Sequence, residues 1–216
     1  DKRITRPSVK KVYLAIRKAM FFPLAITISF LPKRYFLKEG IKKILIIRTD
    51  RIGDVVLSTP TFRALREHFP RAHIALMVKS VKSVVTYFIR RFKFIRDLRK
   101  RYFDLAIDLI WDYPLKSAFL AYLSGARYRV GYDVAGRGIF FNIRVASDKK
   151  EKHTIERTLD VVRTIGVDTA NREPEIIVSP QNKKYISEFL SQQNILQEDL
   201  AVGIHPDGQR LHLRQV

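Results

Sequence analysis

Short apolar runs typical of buried β-strands alternate with helical patterns along most of this chain, and this alternation restricts the fold more than any other feature. Residues 44–47, Ile-Leu-Ile-Ile, form a continuous apolar run, as expected of a strand that is buried on both faces. Helical stretches separate the later strand candidates, which favours parallel strands joined by right-handed crossovers. We therefore predict an α/β fold with an open, mostly parallel sheet. The other predicted strands cover residues 73–78, 103–110, 127–132 and 139–145, and the predicted helices end near residue 70 or cover residues 81–92, 115–124 and 153–165.

The pattern divides the chain into four segments. Ser179 and Pro180 are typical of a helix N-cap and a first-turn proline, so a new helix is predicted to begin there. This helix and the apolar run at residues 200–204 cannot bury a core by themselves, so we expect most of a second unit to be missing from this sequence. The predicted segments are a basic extension (1–40), a sheet domain (41–167), a linker (168–180) and the start of an incomplete domain (181–216). The side chains predicted to face inward from the helix after Pro180 are Tyr185, Ile186, Phe189 and Leu190.

The extension at residues 1–40 combines lysine and arginine with an apolar run at residues 20–31. That run is too short for a membrane-spanning helix, which needs about 20 apolar residues, and Pro23 interrupts it. Two interpretations stay open: an interfacial segment at an anionic membrane surface, or a helix packed on this protein or on another subunit.

The charge is strongly basic and unevenly distributed. The chain has 41 lysines and arginines against 21 acidic residues, a net charge of +20. Residues 102–216 hold 15 residues of each sign, so the whole excess lies in residues 1–101. A local excess indicates a surface that meets an anionic partner, which could be a membrane, an anionic substrate or nucleic acid. Nucleic acid is the least favoured of these, because no RNA-recognition, KH or zinc-finger pattern is present.

Residues 90–101 carry seven basic residues and only one acidic residue. We predict that this basic run contacts an anionic surface, and a solvated helix face is the alternative. The chain has no cysteine, which excludes disulfides, thiolate metal sites and cysteine nucleophiles. Its five histidines show no metal-ligand spacing. We predict neither a metal nor a cofactor.

The loop after the first strand carries the residues most suited to chemistry, because ligands of open α/β sheets bind beyond the carboxyl ends of the strands. The carboxylates of Asp50 and Asp54 could accept a proton from an attacking hydroxyl group. The alternatives are a turn carboxylate for Asp50 and a helix N-terminal residue that complements the helix dipole for Asp54. Gly53 would permit a tight turn. The candidate donors to anionic groups are Arg48, Thr49 and Arg51.

The ADP-heptose:lipopolysaccharide heptosyltransferases, glycosyltransferase family 9, have an opening motif that resembles residues 48–60, Arg-Thr-Asp-Arg-Ile-Gly-Asp-Val-Val-Leu-Ser-Thr-Pro. Further segments resemble that family in the same order. They are residues 103–109 followed by the Lys-Ser-Ala of 116–118, residues 128–133, 140–142, 153–157 and 202–206.

The resemblance implies a GT-B fold, in which two Rossmann-like domains face each other across a cleft. It implies inverting, metal-independent transfer of a heptose from ADP-heptose to a lipid-anchored anionic saccharide, by a cytoplasmic protein peripheral to the inner membrane. The catalytic aspartate of the family corresponds to Asp54, which would deprotonate the acceptor hydroxyl. The candidate acceptor-binding residues are Thr49, Arg51, Gly53, Trp111 and Lys116, and the candidate donor-binding residues are His205, Pro206 and Gly208.

Several alternatives accompany this interpretation. Trp111 could instead pack in the core, and Thr49 and Arg51 could be ordinary solvated loop residues. Asp207 precedes the glycine expected directly after Pro206, and residues 209–216 do not continue the motif of the family, which favours a truncated or frame-shifted chain. The rival functions are a nucleic-acid binder, a non-catalytic membrane-associated protein and a transferase that uses another sugar.

Overall fold

A computed structural model describes residues 36–78, 89–147 and 151–195, with residues 199 and 202. The chain divides into two compact units, with the boundary between Glu175 and Ile176. Residues 1–35 of the predicted extension, residues 81–88 of a predicted helix and most of the predicted strand at 200–204 lie outside the described residues.

Five parallel strands form one sheet in the order β2-β1-β3-β4-β5. The prediction of a parallel α/β sheet is therefore confirmed. The first strand lies in the interior, where Ile46 is paired with Leu76 on one side and with Ile107 on the other. The strands are β1 (Lys43–Arg48), β2 (His73–Val78), β3 (Leu105–Asp108), β4 (Tyr128–Asp133) and β5 (Ile143–Ala146).

Helices connect successive strands. The predicted helix that ends near residue 70 is two helices, α1 and α2, and Pro60 occupies the first turn of α2, where its missing N–H costs nothing. The third helix ends at Arg99 rather than at residue 92, so the basic run belongs mostly to a helix. The helices are α1 (Ile52–Val56), α2 (Thr59–His68), α3 (Ile89–Arg99), α4 (Leu115–Leu123), α5 (Thr154–Arg163) and α6 (Pro180–Gln192), with a 3-10 helix at Arg137–Phe140.

Apolar side chains cover both faces of the sheet. On β1, Ile44 and Ile46 belong to one cluster and Leu45 and Ile47 to the other. Strand side chains alternate between faces, so a strand buried on both sides must be apolar at every position. Burial of β1 on both faces explains the continuous apolar run at residues 44–47.

Two predictions about local structure are wrong. The predicted strand at 139–145 begins only at Ile143, because the chain turns through Gly136 at φ +82° into the 3-10 helix. The side chains of α6 predicted to face inward are instead exposed for Tyr185, Ile186 and Phe189, while Leu190 is half-buried. The described part of the unit after Glu175 contains a single helix, which offers these side chains no partner layer.

Candidate functional site

The loop after β1 leads directly into two helices that begin at the carboxyl edge of the sheet. Asp54 lies in the first turn of α1, where its backbone N–H donates to the carbonyl of Arg51 at 3.1 Å. The Ser58 hydroxyl donates to the Asp54 carbonyl at 2.7 Å, which ties α1 to the start of α2. The backbone at Asp54 is therefore held firmly, while about 29% of its side chain stays exposed.

Gly53 does not make the tight turn that was expected of it. It lies inside α1 and is absent from the positions with positive φ, so no turn requires glycine there. An added Cβ at this position would meet no atom within 4 Å. A small side chain at position 53 would therefore meet no steric obstacle.

Arg48 is fully buried, so it is not the exposed donor that the sequence suggested. Its Nη1 group donates to the Leu109 carbonyl at 2.7 Å, and its Nε group donates to the Asp54 carbonyl at 3.3 Å. The same guanidinium faces both loop carboxylates, with Nε 3.3 Å from Asp50 Oδ1 and Nη2 3.5 Å from Asp54 Oδ1. One buried cation therefore positions two partly exposed carboxylates.

Burial raises the pKa of Asp50, and the nearby charge of Asp54 adds to the rise, although Arg48 opposes it. The Asp50 Oδ1 atom is buried and accepts no hydrogen bond from the described residues. The rise at Asp50 is the expected result of burial next to a second carboxylate when one cation is shared between the two.

A second buried arginine organises the loop after β3. The side chains of Asp108 and Arg137 are both fully buried, and they form an ion pair between Oδ2 and Nη2. The Arg137 Nη2 group also donates to the Ser117 hydroxyl at 3.1 Å, and Nη1 donates to the carbonyls of Ile110 at 2.7 Å and of Asp112. This network fixes the loop that contains Trp111.

Trp111 is 39% exposed, so the alternative that it packs in the core is wrong. The Arg157 guanidinium of α5 lies over its indole ring, 4.4 Å from the centroid. Lys116 is exposed in the first turn of α4, at the same edge of the sheet. Arg51 is exposed and Thr49 half-buried in the loop after β1. The structure thus brings the first-domain candidates to one edge of the sheet.

The remaining candidates, His205, Pro206 and Gly208, lie outside the described residues. The sequence reasoning missed Arg137 and the stacking role of Arg157. The only signal for Arg137 was a single charged residue between two glycines, next to the apolar run at 139–141. Among the described residues, no group of three His, Asp or Glu side chains could hold a metal ion.

The sequence model of glycosyltransferase family 9 (heptosyltransferase) matches residues 91–209, more than half of the chain. The chain belongs to glycosyltransferase family 9. The family resemblance predicted from the motifs is therefore confirmed. A comparison with curated protein sequences gave no match.

Two solved structures are similar to this family 9 chain. The glycosyl transferase family 9 structure from Veillonella parvula DSM 2008 is 20% identical, with a TM-score of 0.63 over 76% of this chain and 53% of that chain. The E. coli heptosyltransferase WaaC with ADP-2-deoxy-2-fluoro heptose is 18% identical, with a TM-score of 0.45 over 62% of this chain and 51% of that chain. The chain spans about half the length of both. The first likeness supports the fold, an α/β sheet of the GT-B type.

In the part of the family 9 chain that the structure describes, no helix has the length and apolar character needed to cross a bilayer.

Proposed function

We propose that this protein takes part in the transfer of a heptose from ADP-heptose to an anionic, lipid-linked saccharide, with Asp54 as the general base. The observation that carries the proposal is the placement of Asp54: its carboxylate is partly exposed at the carboxyl edge of the sheet, 3.5 Å from the buried guanidinium of Arg48. Family membership supports the class of reaction. The sugar, the acceptor and the role of Asp54 belong to the proposal.

In the proposed step, the Asp54 carboxylate accepts the proton of an acceptor hydroxyl group. That oxygen forms a bond to the anomeric carbon of the donor sugar, from the face opposite the diphosphate. The bond between the anomeric carbon and the phosphate oxygen breaks, and ADP leaves with the electron pair, so the configuration inverts. A carboxylate that is fixed at its backbone and partly exposed suits this task, because a base must reach the proton it removes.

The acceptor would lie along the edge formed by the loops after β1 and β3, where Thr49, Arg51, Trp111 and Lys116 are found. We further propose that the donor is held mainly by the second domain, through His205, Pro206 and Gly208. A location at the cytoplasmic face of the inner membrane fits the exposed basic side chains of α3, such as Lys93 and Arg96, because anionic headgroups attract such a surface.

The test is Asp54→Asn in the complete protein, with the release of ADP measured in the presence of acceptor. We expect turnover to fall by about a hundredfold or more, the scale of general-base loss, while the free energy of unfolding changes little. Glu67→Gln removes an exposed carboxylate from the last turn of α2, away from the carboxyl edge, and should leave turnover unchanged. Near-normal turnover in Asp54→Asn would remove Asp54 from the mechanism.

A further inference from the structure

The two helical layers that cover the sheet have different outer surfaces. Helices α2 and α5 cover one face, and charged side chains of both signs lie on their outer sides. On α5, Arg163 forms ion pairs at 2.8 Å with both Glu156 and Asp160. On α2, Arg66 and Glu67 are exposed neighbours. Mixed charges of this kind are typical of a helix side that faces water.

Helices α3 and α4 cover the other face, and the outer side of α4 is aromatic. Ala118 and Ala121 of α4 are buried against the sheet, whereas Phe119 and Tyr122 are 46% and 47% exposed. The two rings are three positions apart, so they lie side by side on the helix. Both pack edge-on against Phe140 of the 3-10 helix, at centroid distances of 5.7 Å and 6.0 Å. A helix that is apolar on its outer side as well as its inner side is normally covered by a partner.

The charges around these two rings are cationic. Residues 113–132 contain three basic residues and no acidic residue. Arg129 lies over the Tyr122 ring, with its Cζ atom 5.5 Å from the centroid. At the end of α3, the Arg99 Nε group donates to the Leu123 carbonyl at 3.2 Å, which places α3 beside α4.

Helix α3 adds a row of cations to this surface. Lys93, Arg96 and Arg99 are exposed and three positions apart, so they follow one another along the helix, while Leu98 is buried against the sheet. The helix contains a single acidic residue, Asp97. The outer side of α3 and α4 therefore combines exposed aromatic rings with an excess of positive charge.

This combination fits the boundary of an anionic bilayer. Aromatic rings are enriched at the headgroup level of membranes, and lysine and arginine are attracted to anionic headgroups. A second copy of this chain fits less well, because it would bring the same cations to the interface and like charges oppose association.

We propose that the outer side of α3 and α4 is the face that docks on an anionic bilayer, with Phe119 and Tyr122 inserted among the headgroups. The cations of α3 then pair with lipid phosphates. Lys116 and Phe119 are three positions apart on α4, so the carboxyl edge of the sheet adjoins the docked face. A saccharide that stays anchored in the bilayer can therefore approach Asp54. The inference rests on the proposed function, because it names the surface that brings this enzyme to its lipid-linked acceptor.

The test is sedimentation of the complete protein with vesicles of phosphatidylethanolamine and phosphatidylglycerol. Phe119→Ser with Tyr122→Ser should lower partitioning about tenfold or more, the scale of two rings that lose their apolar burial, and the loss should persist at high salt. Lys93→Gln with Arg96→Gln should lower partitioning about tenfold or more at low salt, and far less at high salt. The matched control is Tyr185→Ser, which removes a 66% exposed ring from α6 and should leave partitioning unchanged.

A second measurement does not depend on whether the serine variant folds. Phe119→Trp in a Trp111→Phe background keeps an aromatic ring at position 119 and carries a single tryptophan. Lipids with brominated acyl chains quench a tryptophan that enters the bilayer boundary, so we expect vesicles of such lipids to quench this reporter. Glu67→Trp in the same background places the reporter on the exposed side of α2, where we expect no quenching.

Three outcomes of these measurements would overturn the inference: normal partitioning of the double serine variant, equal quenching of the two tryptophan reporters, or equal binding to vesicles of uncharged phosphatidylcholine. A dimer that the double serine variant abolishes would also overturn it, because a second copy would then cover this face. Vesicle docking by a protein that transfers no heptose would refute only the proposed reaction. Transfer of heptose by a protein whose α4 rings stay in water would refute only the docking face.

Discussion

Two arginines are fully buried at the carboxyl edge of the sheet, and their surroundings differ. Arg137 pairs with Asp108, whose side chain is also fully buried. Arg48 pairs with Asp50 and Asp54, whose side chains each keep 29% of their surface exposed. A carboxylate that is fully buried cannot exchange a proton with a substrate, whereas one that is partly exposed can. The pair of Arg137 with Asp108 therefore has a structural role at this edge, whereas Arg48 positions carboxylates that are available for chemistry.

The buried pair of Asp108 and Arg137 is stable only if further hydrogen bonds satisfy both side chains. Removing two charges from water costs several kcal/mol for each ion, and only mutual attraction with further hydrogen bonds offsets that cost. The Asp108 carboxylate accepts a hydrogen bond from the backbone N–H of Ile110 at 3.0 Å, and Arg137 donates to the Ser117 hydroxyl and to two backbone carbonyls. The network thereby joins β3, its following loop, α4 and the 3-10 helix.

The largest effect is expected from Arg137→Met. The change leaves the Asp108 carboxylate buried without its cation, which costs about 3–5 kcal/mol of unfolding free energy. Urea denaturation measures this loss. The double variant Arg137→Met with Asp108→Leu removes both charges and should recover most of the stability. If the single variant lost less than about 1 kcal/mol of unfolding free energy, the pair would behave like one that is exposed to solvent.

A smaller loss of stability and a larger relative loss of activity are expected from Arg48→Met. The Leu109 carbonyl loses its 2.7 Å donor, which costs about 1–3 kcal/mol. The Asp54 side chain loses the cation that positions it, and a displacement of about 1 Å can lower turnover about a hundredfold. Turnover and urea denaturation should be measured on the same samples.

Arg48→Lys is the informative companion variant, because it keeps the charge but not the fork that reaches both carboxylates. Partial recovery of turnover is the expected result. If Arg48→Met lost stability like Arg137→Met and kept its turnover, the two arginines would have the same structural role and the comparison would fail.

Much of the fold could be predicted because it depends on local pattern. The bounds of β2 at His73–Val78 agree with the strand predicted at residues 73–78, where Ile74–Val78 is a continuous apolar run. The predicted ends of α4 and α5 agree with Gly125 and Gly166, which adopt φ values of +73° and +79°. Glycine tolerates this left-handed conformation at a helix end, so the sequence itself marks the position.

The buried arginines could not be predicted in the same way. Arg48 follows an apolar strand and precedes a polar loop, so its sequence neighbours favoured an exposed donor. Its burial depends on the Leu109 carbonyl, 61 positions away in the chain. Arg137 depends on Asp108, 29 positions away. No local periodicity reports contacts over such distances, whereas the exposed Asp54 followed from its place after the first strand.

Asp50→Asn is expected to have the smallest effect. It tests whether the attraction of Arg48 offsets the cost of burying the ionised Asp50 carboxylate. Burial raises the pKa of Asp50 above its ordinary value of 3.8, despite the opposing charge of Arg48. The ionised carboxylate is therefore less stable in the folded than in the unfolded protein, and this cost is present above the raised pKa. The cost disappears as the pH falls through the raised pKa toward 3.8.

Asparagine carries no such cost, so Asp50→Asn should be more stable than the wild type at neutral pH by less than about 1 kcal/mol, the scale of a solvent-screened pair. The difference should shrink as the pH is lowered, which urea denaturation at a series of pH values would measure. Glu67→Gln, in the last turn of α2, serves as the control with an exposed carboxylate. Transfer should fall far less than in Asp54→Asn, because Arg48 then has Asp54 as its single carboxylate partner. A marked loss of stability at neutral pH would mean that the ion pair of Arg48 with Asp50 outweighs the cost of burying Asp50. The carboxylates that pair with Arg48 would then have a structural role like that of Asp108, which contradicts the comparison.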